Sequence, residues 1–277
     1  MEGRKILIAG AARGIGRAVA LAAHEAGAEL ALIDSGVSPD GQNPDASVVA
    51  EVAKLIESRG GEPLYFDSDM CDPAQIREVF GHSVDHYGSL DAAVWSVGIR
   101  RDSAIAKADP SRVSDMVTRE ISAAIEFVRT AAQTFGKGPG SIVMLAGTSA
   151  FFPGARRALA AALDGAIVGL VRSAASELVR RDISVNAVLP TARTRLTEKS
   201  PLFRSVGEDS MLVEQVAPMV LAALAAPPGT ISGEVLGIAG GRAYSFRTRE
   251  TPGVFAESGT FTSQDIGDQW DELLRGA

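Results

Sequence analysis

Three glycines, Gly10, Gly14 and Gly16, close an apolar run, "KILIAG", and open a helical pattern, "GIGRAVALAA". At that spacing the backbone can turn tightly and approach a pyrophosphate, which the amino end of a helix holds through its free N–H groups and its dipole. About twenty residues on, Asp34 ends a second apolar run, "ELALID". A carboxylate there accepts hydrogen bonds from adenosine ribose hydroxyls and repels a 2′-phosphate, so the pair of signals points to a dinucleotide, NAD rather than NADP.

Such a turn works only on a sheet that holds it. Seven apolar runs, "KILIAG", "ELALID", "PLYFDSD", "AAVWSVG", "SIVMLAG", "ISVNAVL" and "EVLGIAG", alternate with segments long enough for helices. Continuous rather than alternating apolar strands imply a parallel sheet covered on both faces. The expectation is an α/β, Rossmann-like, doubly wound fold with a seven-stranded parallel sheet over residues 1–245. A C-terminal extension, residues 246–277, would pack on its own or a neighbouring subunit. Residues 35–46, rich in Ser, Gly, Pro, Asn and Asp, read as an exposed loop before the helix "SVVAEVAKLIES". In the extension Ile266, Trp270, Leu273 and Leu274 form an apolar stripe at helical spacing, either intramolecular core or cover for a neighbour.

With 277 residues, 46% of them apolar, the chain can bury a large core. A net charge of −7 with scattered basic residues gives no surface for nucleic-acid phosphates. One cysteine, Cys71, cannot form an internal disulfide, and no secretory leader or membrane span is read, so a soluble cytoplasmic protein with no membrane partner and no bound metal is expected.

The loop "GAARGIG", the segment "DSDMCDPAQ", the strand and loop "SVNAVLPTARTRL" and the final "ISGEVLGIAGG" resemble the short-chain dehydrogenase/reductase family along nearly the whole chain. The loop "DSGVSPDGQNPDAS" and the tail from Arg247 resemble, more narrowly, the dehydrogenase module of multifunctional β-oxidation enzymes, which act on 3-hydroxyacyl-CoA thioesters. This resemblance implies that Asp69 and Met70 lie at the adenine, that Ile15, Gly98 and Thr194 belong to the cofactor site, and that Trp95, Ser96 and Val97 replace the family's Asn-Asn-Ala. Ala9 stands in place of a threonine.

The family's chemistry needs a Tyr that exchanges a proton with the substrate oxygen, a Lys four residues later that tunes it, a Ser that positions the oxygen and an Asn that supports a water relay. By the resemblance those four places hold Ala160, Asp164, Gly147 and Glu120. Register does not rescue the pair: the tyrosines are Tyr65, Tyr87 and Tyr244, and no lysine lies between Lys137 and Lys199. Thr148 or Ser149 could replace the serine hydroxyl. His24, His82 and His86 fall in early helices away from the site. Asp164 could accept bonds from the nicotinamide ribose, or pair with Arg156, two helical turns earlier, or with Arg100 or Arg101.

Three functions remain open: a noncatalytic subunit pairing, in a heterotetramer, with a catalytically intact homologue; an active NAD-dependent oxidoreductase with an atypical acid; and a dinucleotide-responsive regulatory protein. The two long helical segments, 111–135 and 155–181, stay long and apolar, as the family's interface helices are. NAD is the cofactor that the turn admits, with its affinity weakened or lost. Titration calorimetry with both dinucleotides is expected to show tighter binding of NAD than of NADP; equal or tighter NADP binding would mean that Asp34 points away from the ribose.

Overall fold

The computed structural model describes residues 1–99, 102–136, 138–152 and 154–275. The chain divides into two compact units, Met1–Ser245 and Phe246–Ala277.

The first unit is built on one sheet. Strands β1 (Lys5–Ala9), β2 (Glu29–Ile33), β3 (Leu64–Phe66), β4 (Ala92–Trp95), β5 (Gly140–Leu145), β6 (Ile183–Thr191), β7 (Val235–Ala239) and β8 (Arg242–Ser245) are arranged in the order β3-β2-β1-β4-β5-β6-β7-β8. All neighbours pair in parallel except β7 and β8. The central strands carry the core: Ile6 to Ala9, Ala92 to Val94 and Ile142 to Met144 are wholly excluded from solvent.

Helices α1 (Gly14–Glu25), α2 (Ser47–Glu57) and α7 (Ala217–Ala225) share one hydrophobic cluster with the strands. Helices α3 (Pro73–Tyr87), α5 (Ser122–Thr134) and α6 (Ala158–Leu178) pack together as a second group. Asp72 caps α3, accepting a hydrogen bond from the Ala74 N–H at 2.8 Å ahead of Pro73 at the first turn. The chain order reverses between β1 and β4, and in open parallel sheets the crevice at the carboxyl ends of such strands is where ligands bind.

Three expectations change. The sheet has eight strands, not seven, and is not wholly parallel. The extra strand follows from Gly240, whose φ of +56° lets a two-residue Gly240–Gly241 turn reverse the chain, so that Ala239 faces Arg242 in an antiparallel hairpin. The segment read as one long helix after β4 is interrupted: α4 (Pro110–Asp115) runs into a π-helical stretch, Met116–Ile121, before α5. There the Ser122 hydroxyl donates to the Val117 carbonyl five residues back, at 3.3 Å, in keeping with the widened turn. Helix α6 begins only at Ala158, because Arg156, with φ +66°, turns the chain out of helical geometry.

Among the described residues one helix, Ala158–Arg181, is long and apolar enough to cross a membrane by length and composition. It carries Asp164 and Arg172 within its length and packs against β6.

The second unit contains α8 (Ser263–Asp268) and α9 (Trp270–Leu273). Thr262 caps α8 through a reciprocal pair of bonds with Asp265. Gln269 is not helical, so the stripe of Ile266, Trp270, Leu273 and Leu274 is divided between two helices rather than carried by one, and Trp270 and Leu274 are exposed.

Candidate functional site

Strand β1 ends at Ala9, and Gly10, with φ +79°, turns the chain away from the sheet. The turn is anchored by bonds from the Gly10 and Ala11 N–H groups to the Ile33 carbonyl, at 2.8 and 3.1 Å. It has no room for side chains. A Cβ at Gly10 would come within 2.5 Å of the Ser96 carbonyl oxygen, and one at Gly16 would collide with the Gly10 carbonyl. Gly14 is different: its φ of +52° selects glycine, and the space above it is open except for the Thr194 methyl at 3.8 Å. No side chain caps the amino end of α1, so its first N–H groups remain available to an anion.

This turn forms one wall of a cleft of about 840 Å³, within the range of small-molecule and cofactor sites. Gly10, Gly14, Ile15, Asp34, Asp69, Met70, Gly98 and Thr194 line it, while Gly16 lies buried behind them. The same cleft brings together Glu120, Gly147, Ala160 and Asp164, the four positions expected to hold the chemistry. Among the described residues no tyrosine, lysine or histidine lines it.

At the adenosine end, Asp34 is partly engaged in bracing the turn: its carboxylate accepts from the Ala12 N–H at 2.9 Å and the Gly36 N–H at 2.8 Å, leaving further lone pairs for a ligand. Sequence reasoning missed Arg13 and Arg195, which both donate to the Val37 carbonyl, at 3.1 and 2.8 Å, on the same part of the cleft. Burial first, then the neighbouring Arg13, lowers the pKa of Arg195. The Asp69 carboxylate is bonded to Arg119, from the π-helical stretch, and to the Cys71 N–H at 2.9 Å. Burial, followed by the nearby carboxylates of Asp69 and Glu120, pushes the Cys71 thiol up to about 12, so at neutral pH it is protonated and a poor nucleophile. Thr194 uses its hydroxyl within its own turn, accepting from the Leu196 N–H at 3.2 Å and meeting the Thr197 hydroxyl at 3.1 Å.

At the other end, Asp164 reaches back across the cleft. Its carboxylate accepts the Gly147 N–H at 2.7 Å and the Ser149 hydroxyl. The expected pairing with Arg156 does not occur: α6 starts after that residue, so the two do not share a helical face. Arg100 and Arg101 lie outside the described residues. A Cβ at Gly147 would run into the Asp164 carboxylate, so the missing side chain at 147 is what lets the acid fold down. Ala160, one turn earlier, contributes only a methyl group. Glu120 is 6% exposed and faces the cleft from the π-helical stretch. Trp95 is buried edge-on to Phe127, ring centroids 5.2 Å apart, and fills space behind the cleft with aromatic packing. His24, His82 and His86 lie elsewhere, on α1 and α3.

A family profile described as enoyl-(acyl carrier protein) reductase matches residues 10–241. The chain belongs to the short-chain dehydrogenase/reductase family. It is 28% identical over 188 residues to a 3-oxoacyl-[acyl-carrier-protein] reductase of Staphylococcus aureus, covering 68% of this chain and 73% of the relative. It is 26% identical over 281 residues to the peroxisomal hydratase-dehydrogenase-epimerase of Saccharomyces cerevisiae, covering 98% of this chain but 30% of that larger protein. Among solved structures, a short chain dehydrogenase from Mycobacterium avium superposes with a TM-score of 0.85 at 26% identity, over 99% of this chain and 95% of its own. A carveol dehydrogenase of that species in complex with NAD shares the fold, at TM-score 0.75 and 22% identity, over 86% of this chain and 96% of its own. So does a Burkholderia cenocepacia short chain dehydrogenase in complex with NADP, at 0.76 and 25%, over 87% and 98%.

The contact between residues 147 and 164 can be measured. Gly147→Ser should lower stability by about 1–3 kcal/mol through crowding of the carboxylate. In an Asp164→Ala background the same change should cost much less, giving a coupling energy on the order of 1 kcal/mol or more in urea denaturation. Strict additivity of the two changes would show that the pair does not interact.

Proposed function

We propose that this chain is a noncatalytic subunit of a hetero-oligomeric, NAD-dependent short-chain dehydrogenase, and that its catalytically intact homologue carries out the reaction. The observation that carries the reading is the composition of the cleft: at the positions the resemblance assigns to the family's proton-transferring pair, the side chains are Ala160 and an Asp164 already bonded to Gly147 and Ser149. A proton donor to a substrate oxygen must lie within hydrogen-bond reach and be tuned to the working pH. Ala160 can donate nothing, and Asp164 has no lysine's positive charge to lend.

The cofactor end is better preserved. The Gly10–Gly14–Gly16 turn, the uncapped start of α1 and Asp34 fit the pyrophosphate and adenosine ribose of NAD, whose nicotinamide would act as hydride carrier. Arg119 on Asp69 competes with the adenine for the same carboxylate, which supports weakened or lost binding. The surface helices support pairing. An apolar groove of about 280 Å³ runs between Ile121, Ala124 and Ile125 and, on α6, Ala166, Ile167 and Leu170. Ile125 and Val117 are about half exposed beside it, and the small exposed residues Ala162, Gly165 and Gly169 on α6 would let a second helix approach closely. The relationship to the peroxisomal hydratase-dehydrogenase-epimerase supports a 3-hydroxyacyl-CoA-type substrate for the complex, and a soluble, cytoplasmic setting accompanies that reading.

The alternative is an active oxidoreductase with an atypical acid, and Glu120, buried on the cleft, is the residue that favours it. Steady-state assays of the pure chain with 3-hydroxyacyl-CoA and 3-oxoacyl-CoA substrates and either dinucleotide separate the two. Loss of general acid–base groups is worth roughly 10² to 10⁴ in rate, so no turnover at ordinary dehydrogenase rates is expected. Turnover abolished by Glu120→Ala or Asp164→Ala would make those carboxylates the catalytic groups.

A further inference from the structure

At the head of α6 the chain presents a cation that no described residue pairs with. Arg157 lines the cleft beside Ala160 and follows Arg156, whose φ of +66° reverses the backbone just before the helix. Its position is fixed from several sides. Ser103 and Arg157 form a short parallel bridge, with the Ser103 N–H donating to the Arg156 carbonyl at 2.8 Å. Gly154 lies against the side-chain stem, where a Cβ would stand 3.3 Å from the Arg157 Cδ. The Arg157 carbonyl accepts the Ala161 N–H at 2.8 Å.

The guanidinium itself has no hydrogen-bond or ion-pair partner among the described residues, and its Nε is closed off from solvent without an acceptor. Of the other arginines on the cleft, Arg13 and Arg195 are engaged by the Val37 carbonyl and Arg119 by Asp69, while Arg112 lies near the carboxylates of Asp40 and Asp109. With the Nε sealed behind it, the guanidinium is left with its terminal N–H groups, which no described residue accepts and whose planar geometry suits a bidentate acceptor.

The surroundings narrow the ligand. Ala160, Leu163 and Ile167 follow Arg157 at helical spacing along the cleft face of α6, and Ile99 and Leu196 also line the cleft, so much of its lining near this helix is apolar. Asp102 and Asp164 add negative charge to the same cleft, which disfavours a dianion.

We propose that the Arg157 end of the cleft binds a monocarboxylate with an apolar tail, the carboxylate on the guanidinium and the tail along the Ala160–Leu163–Ile167 face. The site needs neither turnover nor a partner chain, so it stands or falls separately from the subunit reading. Isothermal titration of the full chain with hexanoate, hexan-1-ol and hexyl phosphate tests it. Hexanoate should bind saturably, hexan-1-ol at least about tenfold more weakly, and hexyl phosphate more weakly than hexanoate. Arg157→Gln should lower hexanoate affinity about tenfold or more, as expected for a lost charge-assisted pair, while Arg59→Gln, which removes a distant surface cation, should leave it unchanged. Should Arg157→Gln fail to fold, Arg157→Lys keeps the stem and charge but loses the fork and should still weaken hexanoate severalfold. The proposal is overturned by absent hexanoate binding, by equal binding of the alcohol, by tighter binding of the phosphate, by an equal loss in Arg59→Gln, or by Arg157 variants that bind hexanoate as the parent does.

Discussion

The carboxylate of Asp164, closed onto the Gly147 N–H and the Ser149 hydroxyl, is the constraint around which the cleft is arranged. An acid on a helix facing a pocket would normally stay hydrated or seek a cation, because removing a charge from water without partners is costly. Here it finds two donors at the end of β5 instead. That choice requires glycine at 147, since any Cβ would occupy the space the carboxylate uses. The two positions are therefore one structural feature. The result is a link between α6 and the strand beside it, at a place where the fold offers a ligand access to both.

The two ends of the cleft are held by different kinds of contact. At the β1 turn, close packing accounts for Gly10 and Gly16 whether or not a ligand binds, since each abuts backbone that no side chain could displace. Gly14 and the uncapped start of α1 have no such internal reason, and they are the features that speak for an anion. Toward α6 the Asp164 carboxylate turns inward onto Gly147 and Ser149. Arg157 is held by backbone and stem contacts, while its guanidinium has no partner among the described residues.

Much of this arrangement was legible in the sequence. Continuous apolar runs separated by helical lengths were enough to give the strands and their parallel pairing, and the glycine spacing with Asp34 located the cleft. The hairpin to β8 escaped because "RAYS" is a short edge strand with exposed residues and so carries no apolar signal; the Gly240–Gly241 pair was the cue available. Asp164 stands out in the sequence, but a pairing with Arg156 presumes a helix running through that residue, and the left-handed backbone there starts α6 two residues later. Arg13, Arg157 and Arg195 converge on the cleft from distant parts of the chain, and only the tertiary fold brings such residues together.

On the proposed reading, what this chain contributes is its quaternary surface: the groove between Ile125 and Leu170 and the small-residue face of α6, offered to a homologue that retains the acid–base pair. Native mass spectrometry of the complex purified from its own cell through this chain tests that claim most directly. The account predicts a mixed assembly, most simply a heterotetramer, in which a short-chain dehydrogenase with an intact Tyr and Lys four residues apart accompanies this chain. Recovery of homo-oligomers alone, with the homologue fully stable and active in this chain's absence, would contradict it.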